Sequence, residues 1–331
     1  MLLSRVKAFR FIRNTFQSLD FSVKISYVSS YIPDALPPRE TGKTGDVYRG
    51  LTADSPETRE GLSAFLRTSM SERIGKPTKS QLKRWEKLAM EKYRCREGLC
   101  LAEGVKVVGE LLRSFWKTEA LLISAEKSER REEILAGVPS GIPIYRLTDR
   151  EWATLSQDLS PEGVMAVAAV PSPVDLACRL ETEGGPLLLL HQVNNPNNLG
   201  ALLRTAHWFG FRTVLVSEGS CAATNPKVIR TSMGSLFHLT VIDDLDFDSI
   251  LAEIRGRFRV VGSEVREGVA PHPCGPAMAL LMGSESHGLP EELLAQTDER
   301  WRIPGAGGAE SLSLPQAAAI MMYECVRKTG C

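Results

Sequence analysis

The sequence predicts an α/β protein in which a parallel sheet lies between layers of helices. Short apolar segments alternate with amphipathic segments of helical spacing along most of the chain, which is typical of βαβ units. Some apolar segments, such as Leu187–His191 and Ala279–Gly283, show no alternation of apolar and polar residues, which indicates strands buried on both faces. With 331 residues, the chain is long enough for about two domains.

The composition excludes several other classes of protein. Hydrophobic residues make up 43% and charged residues 24%, and 40 basic residues balance 40 acidic ones, so a disordered chain is excluded. The longest apolar runs, Pro186–Leu190 and Ala277–Met282, fall well short of the roughly 20 residues that span a bilayer, so no membrane segment is predicted. The 7 cysteines form no C-x-x-C pair and the 5 histidines have no metal-ligand spacing, so neither disulfides nor a metal site is predicted.

Residues 1–75 are predicted to form a poorly ordered extension, because prolines and glycines interrupt every periodic pattern between Ile32 and Glu60. The first 31 residues carry five basic side chains against one acid, Asp20. That bias is shared by organellar presequences and by ordinary surface helices. We therefore expect a cytoplasmic protein, with an organellar one as the alternative.

A basic amphipathic helix is predicted from about Ser80 to Gly98. Between Glu72 and Arg96, 9 basic residues accompany 3 acidic ones, on a chain that is neutral overall. Such a segment is either a solvated helix face or a surface whose local field attracts a phosphate backbone. The candidate RNA-binding residues of this segment are Lys79, Lys83, Arg84, Arg94 and Arg96.

Strands and helices then alternate through a small α/β domain over residues 76–170. Its predicted elements are a strand at Leu99–Ala102, a helix at Val105–Phe115, a strand at Ala120–Ser124, a charged helix at Glu126–Leu135, a strand at Ile142–Tyr145, a helix at Asp149–Leu155 and a strand at Val164–Val170. Pro171, Pro173 and Gly184 punctuate the residues that follow, so we predict a linker over 171–185.

The same alternation resumes in residues 186–331. The predicted strands are Leu187–His191, Thr213–Val216, Phe237–Ile242, Arg259–Val261, Ala279–Gly283 and Trp301–Ile303. The predicted helices are Asn198–Phe209, Asn225–Thr231, Phe247–Gly256 and Pro315–Arg327. Because these strands are short and apolar, they predict a parallel sheet covered by helices on both faces.

Ligands of open parallel sheets bind beyond the carboxyl ends of the strands, so the loops after strands are where a site is expected. Three of these loops are rich in polar residues or glycine: Val193–Ala206, Gly283–Pro290 and Arg302–Ala319. The first lacks the glycine-rich phosphate turn of dinucleotide-binding folds, so that kind of site is disfavoured. The third loop leads into small residues, Ala317–Ala319, which permit another stretch of backbone to pack closely against them. That backbone belongs either to the protein core, to a segment of the chain that crosses here, or to a dimer partner.

Two of these loops carry candidate catalytic side chains. Asn198 is explained adequately as a turn residue that caps a helix. Arg204, by contrast, is a long cation on an otherwise apolar helix, and its guanidinium can bind a phosphate or a hydroxyl. Glu285 stands between Gly283 and Gly288, which indicates close approach of a ligand to the backbone, although a solvated turn is the commoner role of such residues.

Taken in order, the three loops resemble the signature motifs of the TrmH-like (SpoU) RNA 2'-O-ribose methyltransferases of the SPOUT superfamily. The resemblance covers Pro186–Arg327 and implies a trefoil knot near the C-terminus, S-adenosylmethionine as cofactor and a homodimer formed through the knot domain. Residues Lys79–Val170 resemble the ribosomal-protein-like RNA-binding domain that often precedes this catalytic domain. The expected partner is ribosomal or transfer RNA, and no membrane or metal partner is expected.

The resemblance also implies roles for individual residues. The positions that match the catalytic centre are Asn198, Arg204, Glu285, Ser311 and Ser313. The positions that match the cofactor site are Gly283, Gly288, Ile303, Pro304 and Leu312. The family usually has asparagine where this chain has Ser313, so a catalytically weakened RNA-binding protein is the alternative to an active enzyme.

The implied reaction is an in-line attack by a ribose 2'-oxygen on the sulfonium methyl group. A site that fixes the two centres in line and excludes water favours the transfer, because positive and developing negative charge neutralise one another. A guanidinium stays protonated in proteins and is therefore a poor base. We therefore expect Arg204 to bind an RNA phosphate or to stabilise the alkoxide rather than to accept the proton.

Overall fold

The computed structural model describes residues 74–125, 134, 135, 137–139, 141–182 and 184–327. Apart from the two-residue strand β1 (Ile74–Gly75), the predicted extension lies outside these residues, and so does most of the predicted charged helix Glu126–Leu135. Residues 76–125 and 144–327 belong to one compact unit, which contains two sheets. No helix in the described ranges has the length and hydropathy needed to cross a membrane.

The first sheet of this unit is mixed. Its strands are β2 (Leu99–Glu103), β3 (Thr118–Ser124), β4 (Ile144–Leu147) and β5 (Val164–Ala169), in the order β4-β3-β5-β2. β3 and β4 are parallel, whereas β5 is antiparallel to both of its neighbours. The apolar strands predicted from the sequence are therefore present, with β4 beginning two residues later than predicted.

Among the residues that the structure describes, four α-helices lie before or between the strands of this first sheet along the chain: α1 (Lys79–Glu86), α2 (Glu91–Glu97), α3 (Val105–Arg113) and α4 (Asp149–Leu155). α4 has the predicted bounds because a capping box begins it: the Glu151 carboxylate accepts from the Thr148 amide at 2.8 Å, and the Thr148 hydroxyl accepts in return. Trp152 of α4 packs with Trp85 of α1 in the core on one face of the sheet.

The helix predicted from Ser80 to Gly98 is interrupted. A short 3-10 turn at Lys87–Ala89 and an extended Met90 separate α1 from α2. The buried Arg94 guanidinium donates to the carbonyls of Leu88 and Ala89, at 3.1 and 3.0 Å, and so satisfies acceptors next to the interruption. The prediction of a single helix was wrong because the chain breaks at Lys87–Met90, where the buried Arg94 side chain satisfies the carbonyls at the break, a contact that helical periodicity does not report.

A helix that the sequence did not predict, α5 (Leu176–Thr182), lies in the proposed linker. Leu180 of α5 is buried in the core that covers one face of the second sheet, and Leu176 packs against the same core. This helix was not predicted because the prolines before it and the glycines after it indicated a linker. Two leucines four residues apart are nevertheless sufficient to anchor a short helix.

The second sheet is parallel throughout, as predicted. Its strands are β6 (Leu187–Leu190), β7 (Thr213–Ser217), β8 (Thr240–Leu245), β9 (Arg259–Ser263), β10 (Met278–Met282) and β11 (Glu299–Trp301), in the order β11-β9-β10-β6-β7-β8. β8 begins later than predicted because a 3-10 turn takes up Ser235–His238, and β11 lies two residues before its predicted position.

The helices of this second half are α6 (Pro196–Phe209), α7 (Pro226–Thr231), α8 (Phe247–Ile254), α9 (Glu291–Leu294) and α10 (Leu314–Val326). α6 buries the predicted face, which includes Leu199 and Leu203. α10 packs against α6, although β11, the strand before α10, lies at the far edge of the sheet. The chain therefore returns from the edge of the sheet to its middle.

Candidate active site

The carboxyl ends of β6 and β10 bring two of the predicted side chains into contact. The strands are adjacent, and the His191 amide after β6 donates to the Met282 carbonyl at 2.9 Å. Just beyond this point, the Asn198 amide nitrogen donates to a carboxylate oxygen of Glu285. Two residues 87 positions apart in the sequence therefore form one polar pair at the sheet edge.

The asparagine run has a different division of roles from the one predicted. Asn195, not Asn198, caps α6, because the Asn195 side-chain oxygen accepts from the Asn197 amide at 2.9 Å. α6 consequently begins at Pro196, and Asn198 lies within its first turn. The prediction that Asn198 caps the helix was wrong, and the displaced start frees its side chain to contact Glu285.

The loop after β10 closes on itself very tightly. Ser284 and Gly288 exchange backbone hydrogen bonds at 3.1 and 3.0 Å, and Gly288 has a φ of +66°. A Cβ atom on Gly283 would lie within 3.0 Å of the Gly288 carbonyl and the Leu289 nitrogen. Glycine is therefore required at 283 by the close backbone approach and is favoured at 288 by the left-handed conformation. Glu285 is exposed at the tip of this turn.

The loop between β11 and α10 is open to solvent. Ile303 is half-buried, whereas Pro304, Ser311, Leu312 and Ser313 are exposed, and Leu312 is 46% exposed. Ser313 occupies the position before α10 but makes no side-chain cap, and its hydroxyl instead donates to Gln316 at 3.0 Å. Within the described part of the chain, no hydrogen bond joins this loop to the pair formed by Asn198 and Glu285.

Arg204 lies apart from that pair. It follows Asn198 by six residues on α6, which places it about 9 Å further along the helix axis and on another face. Its exposed side chain lines a groove of about 620 Å³ together with Lys106 of α3, Trp208 of α6 and His238. The described residues contain no hydrogen bond from Arg204 to Glu285 or Ser311.

Glu110, an acidic residue that lines this groove, contacts two basic side chains. Glu110 accepts from Arg113 at 2.8 Å and lies 2.9 Å from His238 Nε2. Burial raises the pKa of Glu110, but hydrogen bonds from Arg113 and His238 outweigh it and hold the pKa below its ordinary value. The His207 ring stacks on His238 at 5.0 Å, and burial followed by the charge of His238 lowers the pKa of His207.

The predicted RNA-binding residues separate into two groups. Lys79, Lys83 and Arg84 of α1 and Arg96 of α2 are exposed, and both arginines pair with Glu97, at 2.8 and 2.7 Å. The remaining residue, Arg94, is 2% exposed, which gives its side chain no access to RNA in this structure.

Arg94 instead joins the two halves of the unit. Its Nε donates to the Thr224 hydroxyl at 3.3 Å, while burial lowers the pKa of its guanidinium. The sequence reasoning missed Tyr93, whose ring is contacted by the cations of Lys87, Lys92 and Arg96 at 5.3, 5.1 and 4.7 Å from the centroid. An aromatic residue within a basic run was the available signal. In the described ranges, no group of three or more His, Cys, Asp or Glu side chains is placed to hold a metal ion.

Comparison with known proteins shows which protein family this chain is similar to. Residues 186–323 match the SpoU rRNA methylase family, and residues 79–166 match the MRM3-like substrate binding domain. A relative from Bacillus subtilis, 23S rRNA (guanosine(2553)-2'-O)-methyltransferase RlmP, is 31% identical over 73% of this chain and 94% of its own length. A relative from Acinetobacter baylyi, 23S rRNA (guanosine-2'-O-)-methyltransferase RlmB, is 30% identical over 62% of this chain and 87% of its own.

Among solved structures, an AdoMet-bound rRNA methyltransferase from Sinorhizobium meliloti is similar with a TM-score of 0.66. It is 26% identical, and the match covers 76% of this chain and 97% of the other. The parallel sheet, the loops that meet at its carboxyl edge and the similarity to RlmP over most of the chain all indicate the same family. The chain belongs to the SpoU rRNA methylase family.

Proposed function

We propose that this chain transfers the methyl group of S-adenosylmethionine to a ribose 2'-hydroxyl of ribosomal RNA. The pair of Asn198 and Glu285 beside the tight Gly283 turn is the observation that carries the proposal, because it fixes polar groups at the edge where parallel sheets bind ligands. Family membership supports the reaction, and the names of RlmP and RlmB favour 23S ribosomal RNA over transfer RNA as the substrate.

The loops after β10 and β11 are suited to the cofactor. The Gly283 turn brings the backbone of residues 283 and 288 together with no side chain between them, and the exposed Leu312 offers an apolar surface to an adenine ring. Ile303, Pro304 and Gly288 would complete the pocket. When bound there, S-adenosylmethionine supplies an electrophilic sulfonium methyl group.

The residues of this chain then orient the acceptor. The Asn198 amide and the Glu285 carboxylate hold each other in place, so either can position a ribose hydroxyl or a backbone amide with little loss of rotamer entropy. Arg204 binds the RNA phosphate or stabilises the developing alkoxide, since its guanidinium keeps its charge. Ser311 and Ser313 supply short hydroxyl groups from the loop before α10.

The path of the chain supports a trefoil knot. α10 follows the edge strand β11 in the chain and packs against α6 beside the middle of the sheet, so residues 302–313 return from the edge toward the middle. We propose that the chain is threaded within this returning segment. The family domain is then residues 186–331, preceded by an RNA-binding domain over 76–170 and a connection that includes α5.

A homodimer would complete the site. Ile320, Tyr323 and Val326 form an exposed apolar stripe on α10, with exposures of 39%, 50% and 39%. Because Arg204 lies apart from Glu285 within one chain, a second copy packed on α10 would supply its Arg204 across the interface. Ribosomal RNA as substrate favours the cytoplasm, or an organelle if the basic N-terminal residues form a presequence.

The test is methyl transfer by the full chain from S-adenosylmethionine carrying a labelled methyl group to 23S rRNA, 16S rRNA and bulk tRNA. Alkaline hydrolysis identifies ribose methylation, because a 2'-O-methyl group blocks cleavage of the adjacent linkage. We expect Glu285→Gln to lower kcat at least tenfold, because positioning contributes strongly to such reactions. Glu292→Gln, at an exposed carboxylate of α9, is the matched control.

Two outcomes would contradict the proposal. Cofactor binding without transfer to any of the three RNAs would favour a catalytically weakened RNA-binding protein, which Ser313 in place of the usual asparagine already suggests as the alternative. Label that is lost on alkaline treatment, or that is found on a base, would assign a different acceptor atom. Separately, the pH–rate profile of an Arg204→Lys variant is compared with that of the parent. A base-dependent limb that is present in the parent and lost in the variant would make Arg204 the proton acceptor.

A further inference from the structure

One residue at the carboxyl edge of the parallel sheet has a strained backbone. Gln192 follows the last residue of β6 by two positions and has a φ of +50°, in the left-handed region. Glutamine seldom occupies that region, in contrast to glycine or asparagine, so the surrounding structure must compensate its cost. Strain of this kind is concentrated at functional sites. The conformation of Gln192 therefore points to a role beyond connecting β6 to α6.

Two other non-glycine residues in the described part of the chain share this conformation, and each has a local explanation. Met233 follows α7, and its amide donates to the Arg230 carbonyl at 3.0 Å, as at many helix ends. Asp244 lies where the pairing of β7 with β8 shifts register, and aspartate tolerates the left-handed region better than glutamine does. Gln192 differs from both, because it neither ends a helix nor belongs to a strand.

The loop after β7 holds the backbone around Gln192. The Gln192 amide donates to the buried Ser217 hydroxyl at 2.9 Å, and the Val193 amide donates to the Ser220 hydroxyl at 3.1 Å. In return, the Cys221 amide donates to the Val193 carbonyl at 3.0 Å. These bonds maintain the strained conformation, so the direction of the Gln192 side chain is set before any ligand binds.

The side chain held in this way is polar and has no hydrogen-bond partner among the described residues. Gln192 is exposed, and its Cγ lies beside Gly219, where even an added Cβ would come no closer than 3.9 Å. A carboxamide offers donors and an acceptor together, as the edges of nucleobases do, whereas a phosphate presents acceptors alone. The exposed carboxamide is therefore suited to a base rather than to a phosphate.

Gln192 lies between the basic helices and the pair formed by Asn198 and Glu285. The loop after β7 that holds Gln192 also contains Thr224, whose hydroxyl accepts from Arg94 of α2 at 3.3 Å. On the other side, β6 is the neighbour of β10, the strand that leads into the Glu285 turn. RNA that reaches from α2 to this pair therefore crosses the end of β6, where Gln192 is exposed.

The dimer proposed above uses other elements. Its apolar stripe lies on α10, and the Arg204 that it would exchange lies on α6, whereas Gln192 precedes α6 and is held by the loop after β7. In the sheet, β7 lies on the side of β6 opposite β10, and α10 packs on α6 and β10. Gln192 therefore belongs to a different part of the surface from the dimer stripe.

Resting on the proposed function, we propose that Gln192 is a specificity-determining residue whose carboxamide hydrogen-bonds to the edge of an unpaired nucleobase beside the methylated ribose. Phosphate contacts position RNA without reading its sequence, whereas base contacts specify it. Sequence-specific recognition of RNA uses unpaired bases, because their edges are open. The exposed cations of α1 and α2 would then hold the RNA backbone, and Gln192 would select the nucleotide.

Equilibrium binding of RNA tests this inference without methyl transfer. The full chain is titrated with an unmodified 23S rRNA transcript and, separately, with poly(U), which lacks the target sequence. Gln192→Met removes the carboxamide and keeps the strained backbone, whereas Gln192→Gly removes the carboxamide and relieves the strain. For both variants we expect Kd for the transcript to rise about three- to tenfold, as for the loss of one hydrogen bond between uncharged groups.

The neutral charge of the carboxamide gives a second readout. Because Gln192 neutralises no phosphate, both variants should keep the parent's Kd for poly(U) within about twofold and the parent's slope of log K against log salt. The melting temperature of Gln192→Gly should stay within about 2 °C of the parent's, since relief of the left-handed conformation offsets the entropy that glycine adds to the unfolded chain. Weaker binding at an unchanged melting temperature is then a property of the side chain.

Asp244→Gly is the matched control for the glycine variant. Asp244 is exposed and left-handed like Gln192, but it lies on the edge strand β8, two strands away from β6. The control relieves the same kind of strain and removes a negative charge that repels RNA. It should therefore weaken the binding of neither RNA.

The inference is overturned if both Gln192 variants bind the transcript with the parent's Kd, or if the parent itself does not distinguish the transcript from poly(U). It is overturned if only one variant binds the transcript more weakly, because backbone freedom or side-chain bulk is then responsible. Equal weakening for both RNAs would also overturn it, and so would a changed oligomeric state of Gln192→Met in light scattering. The proposed function fails separately, by absent methyl transfer to rRNA in the parent, and the binding assay needs no turnover.

Discussion

Replacing Gly283 by alanine tests the proposed cofactor site with a single methyl group. The added Cβ would lie within 3.0 Å of backbone atoms of Gly288 and Leu289, and backbone cannot rotate away as a side chain can. Overpacking of this kind costs about 1–3 kcal/mol. The cost is divided between destabilisation of the fold and displacement of the loop, and each 1.4 kcal/mol assigned to the loop weakens ligand binding about tenfold.

Isothermal titration with S-adenosylmethionine and thermal unfolding of the unliganded protein measure the two parts of this cost. For Gly283→Ala we expect Kd to rise about tenfold and the melting temperature to fall by a few degrees. Gly275→Ala is the matched control, because its Cβ would meet nothing within 4 Å and Gly275 lies outside the proposed cofactor loops. A Gly283→Ala protein with the parent's Kd and melting temperature would refute the reasoning.

Three further predictions concern charged residues. Arg94→Met leaves two carbonyls without their donor, so it should lower the free energy of unfolding, measured in urea, by about 2–4 kcal/mol. The control Arg96→Met, at an exposed residue, should change this free energy by less than about 0.5 kcal/mol. Equal effects of the two substitutions would contradict a structural role for Arg94. The hydrogen bond to Glu299 raises the pKa of His272 above 6.5, so stability should fall as pH rises from about 6.5 through the raised pKa; Glu299→Gln should flatten the profile in that window, and an unchanged slope would exclude the pair as its cause. Lys83→Gln should lower the salt slope for structured rRNA by about 0.9, and a parental slope would remove α1 from the RNA surface.

Much of the fold could be predicted because local signals agreed with the tertiary structure. Asp149–Leu155 was predicted with its observed bounds, and the structure shows that a capping box begins this helix. The parallel sheet followed from strands such as Leu187–Leu190, which have no polar face. Strand ends were less accurate: β11 lies two residues from its predicted position, because hydrogen bonding to β9 rather than hydropathy sets its register.

The remaining differences arise from side-chain contacts that helical or strand periodicity does not report. Arg94 belongs to a basic run, and only the tertiary structure shows that it satisfies carbonyls beside the gap between α1 and α2. Asn198 was interpreted locally as a cap, whereas its partner, Glu285, is 87 residues away. Single-sequence patterns report local preference, so they identified both residues and misjudged what each one contacts.

The packing of α10 on α6 also determines when this half of the protein can acquire its core. α6 emerges from the ribosome more than a hundred residues before α10. The apolar face of α6 that packs against α10 therefore stays uncovered while five strands are synthesised. Contacts of such high sequence separation slow folding and leave apolar surface open to aggregation. A nascent chain halted before Leu314 would therefore be a substrate for chaperones and proteases rather than a partly active enzyme.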